Sequence, residues 1–217
     1  MLSRHTLLMR PAAKAAVFVL GLLPFAWLVG QALTNHLGAN PAESLIRATG
    51  DWSLRFICIV LAVTPLRNLT STPALARFRR MLGLFAYFYV AVHLLSYSWF
   101  DMGLDIADIA SDIAKRPFIL VGFLAFVLMT PLAATSFNAA IRWVGARRWQ
   151  MLHKLVYGIA GLGLLHFFWM RAGKNNFSEV FVYAVVISLL LGWRVVNRVR
   201  KPAPVLGRSF GSRLSAQ

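Results

Sequence analysis

Three of the five histidines, His93, His153 and His166, lie inside long apolar segments of the chain. A polar ring is costly to place in hydrocarbon, and ionisable residues found there usually mark a functional site. Imidazole is a good ligand for iron, and two axial histidines can hold a haem as an electron carrier. The alternative is that these rings only form hydrogen bonds between helices. His5 and His36 lie in polar surroundings, where we expect solvated side chains without a role.

The spacing of the three histidines predicts one site near each face of a membrane. His93 precedes the polar residue Asp101 by eight positions, and His166 precedes Arg171 by five. Their two segments run in the same direction, so the two rings are expected at similar depth. His153 lies thirteen residues before His166, which is about 20 Å along a continuous helix.

Helix geometry adds a complication for the fifth segment. Thirteen residues leave His153 and His166 about 140° apart around an ideal helix. They share a face only if the helix contains a wide turn such as a π-bulge. The glycine cluster Gly158, Gly161 and Gly163 is a suitable place for one, although the sequence does not show it. These glycines also suggest a close approach of a porphyrin to the backbone. Close packing of helices through small residues is the alternative.

The segments that carry these histidines belong to a set of six apolar stretches. The chain has 217 residues, 59% hydrophobic and 14% charged, and a membrane-spanning helix needs about 20 apolar residues. We therefore predict an all-α, polytopic integral membrane protein with six transmembrane helices, the first a retained signal anchor. The predicted spans are 15–33, 52–66, 81–100, 117–137, 149–170 and 180–196. The predicted organisation is a cytoplasmic N-terminus (1–14), a transmembrane domain (15–197) and a basic, disordered cytoplasmic tail (198–217).

Charge is divided between the two sides of these spans. Seventeen of the 23 basic residues fall on one side without an acid among them, and all seven acids fall on the other. Cytoplasmic loops are enriched in Lys and Arg, so this pattern predicts that both termini are cytoplasmic. It also explains the net charge of +16 without a nucleic-acid partner. The seventeen are Arg4, Arg10, Lys14, Arg67, Arg77, Arg79, Arg80, Arg142, Arg147, Arg148, Lys154, Arg194, Arg198, Arg200, Lys201, Arg208 and Arg213.

Several classes of redox protein are excluded by missing motifs. The single cysteine, Cys58, cannot form an intramolecular disulfide, and there is no C-x-x-C-H for covalent haem attachment. Neither a G-x-G-x-x-G fingerprint nor a P-loop is present. Any flavin or nicotinamide source of electrons must therefore be mainly another protein.

Six short runs carry a resemblance to a known family. They resemble MsrQ (formerly YedZ), the family of haem-binding membrane subunits of bacterial protein-methionine-sulfoxide reductase systems, within the ferric-reductase-like transmembrane group. The resemblance extends over about residues 11–193. The runs are R-R-M-L-G-L (79–84), H-L-L-S-Y (93–97), R-P-F (116–118), R-W-Q-M-L-H-K-L-V-Y (148–157), L-G-A-N-P (37–41) and His166 with the aromatics after it.

The resemblance implies a function. It implies electron delivery across the bacterial inner membrane to MsrP, a periplasmic molybdopterin enzyme that reduces oxidised methionine in proteins. The donor would be a cytoplasmic flavin reductase or membrane quinol, and the chain would carry electrons without converting the substrate. It also implies haem b, one or two copies, and FMN.

The haem histidines of the family carry over to His93, His153 and His166. Larger two-haem relatives have paired histidines on both spans, whereas Arg79 or Arg80 stands at the inner position here. An inner haem would therefore have only His153 from its pair.

Other interpretations stay open. Arg147, Arg148 and Lys154 are candidates to meet an FMN phosphate or haem propionates, although ordinary positive-inside charge is the favoured explanation. A self-sufficient ferric or cupric reductase, and a non-redox transporter or scaffold, are the alternative functions.

Overall fold

The computed structural model describes residues 4–173 and 177–200, and the regular secondary structure in these ranges is helical. The tail predicted to be disordered lies, from residue 201 onward, outside the described residues. A 3₁₀ turn, Pro73–Phe78, leads into the fourth helix. The helices are α1 (Arg4–Met9), α2 (Pro11–Leu33), α3 (Pro41–Leu69), α4 (Arg79–Phe100), α5 (Ile106–Lys115), α6 (Pro117–Ala134), α7 (Asn138–Val144), α8 (Ala146–Leu152), α9 (Leu155–Ala172) and α10 (Ser178–Val199).

Six helical segments of the described chain are long and apolar enough to cross a membrane, as predicted. They are α2, α3, the 3₁₀ turn with α4, α6, α8 with α9, and α10. Proline occupies the first turn of α2, α3 and α6, where its missing N–H leaves no hydrogen bond unmade. Each helix bonds its own backbone internally, which the interior of a bilayer requires.

The second span is much longer than the sequence pattern indicated. Helix α3 has 29 residues, about 43 Å of helix, and begins at Pro41 rather than at residue 52. Charged side chains in the first half of α3 lower the mean hydropathy there, so the sequence pattern placed the start of this span too late. Arg47 pairs with Glu43 at 2.6 Å. Arg55, near the centre of the helix, donates to the Tyr183 hydroxyl at 3.2 Å.

The fifth span is broken, and here the prediction of a continuous helix is wrong. Helix α8 ends at Leu152, and α9 begins at Leu155. The break is closed by a short 3₁₀-type bond from the Lys154 N–H to the Met151 carbonyl. The glycines form no π-bulge, since the described part of the chain contains no π-helix and α9 runs unbroken through Gly158.

Helix α3 forms the centre of the bundle. Its buried side chains Leu54, Phe56 and Leu61 pack in one cluster with Tyr89 of α4 and Ile159 of α9. Such a seam of large apolar and aromatic side chains holds helices by close packing, which is the main attraction between helices in lipid.

Helix α2 is attached to this core through Tyr89. The fully buried tyrosine hydroxyl donates to the Gly21 carbonyl at 2.9 Å and accepts from the Phe25 N–H at 3.0 Å. It therefore bridges a carbonyl and an N–H four residues apart, beside Pro24, which cannot donate. An inserted side chain of this kind is a usual cause of a helix bend.

The two ends of the bundle differ in charge as the sequence suggested. At one end Arg77 donates to the Leu8 carbonyl and Arg80 donates to Asn138, which links the basic segments directly. The other end contains α5, an unpredicted amphipathic helix whose N-terminus is capped by the Asp105 side chain. The charge bias therefore coincides with the two physical ends of the fold.

We predict that the basic end faces the cytoplasm, with both termini inside, because this end gathers the arginine-rich segments. A C-terminal alkaline phosphatase fusion to the full chain should be inactive, and a C-terminal fluorescent protein fusion should be bright. The opposite pattern would mean that one of the six segments does not cross, and the broken α8–α9 segment would be the first to test.

Candidate functional site

His93 and His166 face each other across a cavity between four helices. The cavity has a volume of about 440 Å³ and is lined by α3, α4, α6 and α9. The centroids of the two imidazole rings are 6.1 Å apart, and their planes are inclined at 77°. The structure thus brings together the two histidines that were predicted to share a depth. We call this space the outer cavity.

Each of these rings is held by a backbone carbonyl. Nδ1 of His93 donates to the Ile46 carbonyl at 2.8 Å, and Nδ1 of His166 donates to the Phe118 carbonyl at 2.7 Å. A carbonyl oxygen only accepts, so the proton of the neutral ring lies on Nδ1. Nε2 is left with a free lone pair, which is the tautomer that a metal ligand needs.

A glycine on the accepting helix leaves room for each of these hydrogen bonds. A Cβ on Gly50 would lie 3.1 Å from Nδ1 of His93, and one on Gly122 would lie 2.7 Å from Nδ1 of His166. Each glycine stands four residues after the accepting carbonyl, on the next turn of the same helix. Only a residue without a side chain lets the ring reach that carbonyl. Neither glycine stands out in the sequence, because its role depends on a neighbouring helix.

The donor set suits a haem better than a bare metal ion. Within the described ranges no group of three or more His, Cys, Asp or Glu side chains is arranged to hold a metal. Two imidazoles supply the two axial positions of a haem iron, and the porphyrin supplies the rest. Metal–imidazole bonds of about 2 Å on both sides of an iron are compatible with the 6.1 Å separation of the ring centroids.

His153 lines a second cavity, which we call the inner cavity. It has a volume of about 700 Å³, and its described lining contains no acid. The indole of Trp149 lies against the His153 ring, with centroids 3.9 Å apart. Nδ1 of His153 lies 3.0 Å from the Trp149 carbonyl, and the ring also has the Leu132 carbonyl as a hydrogen-bond partner. The cations of this lining are Lys14, Arg77, Arg79, Arg80, Lys154 and Arg194.

The inner cavity has the features of an anion site. Nη1 of Arg194 is buried and has no hydrogen-bond partner, whereas its Nη2 donates to the Leu61 carbonyl at 2.6 Å. A buried donor without a partner is costly, and an anionic ligand would satisfy it. Of the three basic residues suggested by sequence for a phosphate, Lys154 lines the cavity, and Arg147 and Arg148 do not.

The two cavities meet at three apolar side chains. Ile57, Met129 and Ile159 contribute to the lining of both. Ile159 is completely buried, and the other two are nearly so. One side-chain layer therefore separates a site near the basic end from a site near the acidic end.

A six-span bundle in which histidines of two spans face each other is typical of transmembrane haem proteins. The comparison with protein families agrees with this class. Residues 49–164 match the family described as "Ferric reductase like transmembrane component". No solved structure matches this chain.

Curated relatives narrow the class. The "Protein-methionine-sulfoxide reductase heme-binding subunit MsrQ" of Polaromonas naphthalenivorans (strain CJ2) is 76% identical over 93% of this chain and 92% of its own length. The protein of the same name from Ralstonia nicotianae is 55% identical over 85% of both chains. That from Xanthomonas campestris pv. campestris is 45% identical over 87% of this chain and 88% of its own. The chain belongs to the MsrQ family.

We predict that His93→Ala and His166→Ala each remove the outer haem or leave it high-spin, because each deletes one of two facing imidazoles. The visible spectrum of the purified full-length variant, with pyridine haemochrome quantitation, measures this. His36→Ala, an exposed histidine outside both cavities, is the control. A full low-spin b-type spectrum in either test variant would overturn the ligand assignment.

We predict that Gly122→Ala displaces the His166 ring, because the new Cβ would lie 2.7 Å from Nδ1. Overpacking of this kind costs about 1–3 kcal/mol, so the variant should lose low-spin haem and melt earlier. Gly161→Ala is the matched control, because nothing lies within 4 Å of a Cβ at that position. Equal spectra and melting curves for the two variants would show that the close approach at Gly122 is unimportant.

Proposed function

We propose that this chain is the haem b subunit that carries electrons across the bacterial inner membrane to a periplasmic molybdopterin enzyme of the MsrP type. That enzyme would use the electrons to repair oxidised methionine in periplasmic proteins. The observation that carries the proposal is the pair of facing imidazoles, His93 and His166, each held in the ligand tautomer by a backbone carbonyl. The relatives' names, which specify haem binding and a methionine-sulfoxide reductase, support it.

The residues of the outer cavity have separate tasks in this proposal. A bound haem would supply a single-electron redox centre, and the two imidazoles would hold it from opposite sides. The carbonyls of Ile46 and Phe118 fix the ring orientations and make Nε2 the more basic nitrogen. The apolar wall, with Ala125, Met129 and Ile159 buried, keeps water from the centre of the cavity.

The inner cavity is proposed as the place where electrons enter. Its six cations and the unsatisfied Arg194 nitrogen favour an anionic cofactor, and FMN, which the family resemblance implies, has a phosphate of the required charge. A second haem with His153 as a ligand is the alternative occupant. Either would lie next to the apolar layer shared with the outer cavity, so the electron would have a short path between the two sites. A cytoplasmic flavin reductase or membrane quinol would be the donor.

Two other functions would have different consequences. A self-sufficient ferric or cupric reductase would reduce a metal chelate at the outer face without any partner protein. A non-redox transporter or scaffold would lack a haem spectrum after haem-replete expression. A haem spectrum separates the redox functions from the transporter or scaffold. Electron transfer to a partner protein, compared with reduction of a free metal chelate, separates the two redox functions.

We predict that His153→Ala leaves the haem between His93 and His166 largely intact but slows electron flow from the physiological donor to the periplasmic partner. The reason is that His153 lines only the inner cavity, which we propose as the entry site. Haem and flavin per protein, together with the rate of partner reduction in membranes, measure the effect.

Three results would contradict this prediction. Loss of all haem in His153→Ala would make His153 a ligand of a single central haem. Unchanged cofactor content and an unchanged rate of partner reduction would mean that His153 is only an interfacial residue. Reduction of free ferric chelate by the wild type, with no transfer to a partner, would favour the self-sufficient reductase.

A further inference from the structure

The outer cavity is polar at only one end. Its deep walls are apolar, whereas the end formed by the start of α3, the end of α4 and the start of α6 carries charged and polar side chains. These are Asn40, Glu43, Arg47, Asp51, Tyr97, Asp101 and Arg116. A flat, apolar ligand that carries carboxylates must leave them at this end, because an unpaired carboxylate among apolar side chains is costly.

Arg47 and Arg116 are the cations of this cavity within the described chain. Each is joined by the backbone to one of the carbonyls that hold the histidines. Arg47 directly follows Ile46, whose carbonyl accepts from His93. Arg116 stands two residues before Phe118, whose carbonyl accepts from the second ring. The two arginines therefore line the cavity from different segments, α3 and the residue before α6, and each is close in sequence to a carbonyl that holds a histidine.

Both arginines have donors left for a ligand. Nη2 of Arg47 lies 2.6 Å from a Glu43 oxygen, and Nε of Arg116 lies 2.7 Å from an Asp112 oxygen. A guanidinium has five N–H donors, and its planar fork matches a carboxylate. One carboxylate partner leaves the rest of each fork available to a second.

The same end also holds acids, so these cations are needed for any anion to bind there. Glu43, Asp51 and Asp101 all line it. The pKa of Asp101 is raised mainly by its partial burial, while the nearby Arg116 lowers it. Without the arginines, a ligand carboxylate would meet only like charges.

We infer that Arg47 and Arg116 bind the two propionate carboxylates of the haem, one each, and so orient the porphyrin with its propionate edge toward the acidic end of the bundle. This inference rests on the proposed function, since it concerns the same haem. The two positive charges also favour ferrous over ferric iron. They therefore raise the midpoint potential of the haem.

The test compares two ligands on the full-length apoprotein in detergent. Hemin carries both propionates, and hemin dimethyl ester carries none in ionised form. Arg47→Gln and Arg116→Gln should each weaken hemin binding about ten-fold, the loss of one charge-assisted hydrogen-bonded contact, and leave the affinity for the ester unchanged. The midpoint potential of the hemin-loaded variants should fall.

Two further variants isolate the ligand contact. Lys115→Gln removes the same charge one residue from Arg116 but outside the cavity lining, and it should retain the wild-type affinity. Arg47→Lys should recover part of the affinity, because it restores the charge without the fork.

Several outcomes would overturn the inference. They are unchanged hemin affinity in both arginine variants, an equal loss for hemin and its ester, and a loss in Lys115→Gln as large as in Arg116→Gln. If wild-type protein binds neither ligand, the proposed function fails and this inference fails with it. If the histidine variants lose haem as predicted while the arginine variants keep their affinity, only the inference about propionates is wrong.

Discussion

The hydrogen bond from each buried imidazole to a helix carbonyl is the interaction on which the outer site depends. In hydrocarbon a ring N–H without an acceptor is costly, and the carbonyls of Ile46 and Phe118 provide acceptors for His93 and His166. The same bonds place the ring proton on Nδ1. They therefore supply the acceptor that the ring N–H needs in an apolar environment, and they leave the Nε2 lone pair available to a metal. The helices that carry these carbonyls, α3 and α6, are therefore as much part of the site as α4 and α9.

This requirement explains local features that otherwise look unrelated. A helix carbonyl is screened by the side chain on the next turn, and glycine at positions 50 and 122 removes that screen. The long α3 helix follows from it too, because Ile46 lies in the part of α3 that hydropathy placed in a loop. Charged residues in that half of the helix are tolerated because Arg47 has a carboxylate partner and Arg55 has Tyr183.

The two cavities divide the bundle by charge as well as by position. The inner one is lined by cations without acids among the described residues, and the outer one mixes two arginines with three acids at its mouth. The layer of Ile57, Met129 and Ile159 between them is apolar. An anion is thus favoured on the inner side, whereas carboxylates on the outer side depend on specific arginine partners.

The sequence by itself determined the class of fold, the sidedness of charge and the family, because hydrophobic length, loop charge and short motifs are local properties. It also predicted the shared depth of His93 and His166, since two co-directional helices with the same rise set that depth. The sequence did not predict the features that depend on contacts between helices. The start of α3 at Pro41, the break at His153 and the roles of Gly50 and Gly122 depend on partners distant in the chain. Only the packed bundle shows which carbonyl faces which ring, because that choice is made by the rotation and spacing of neighbouring helices.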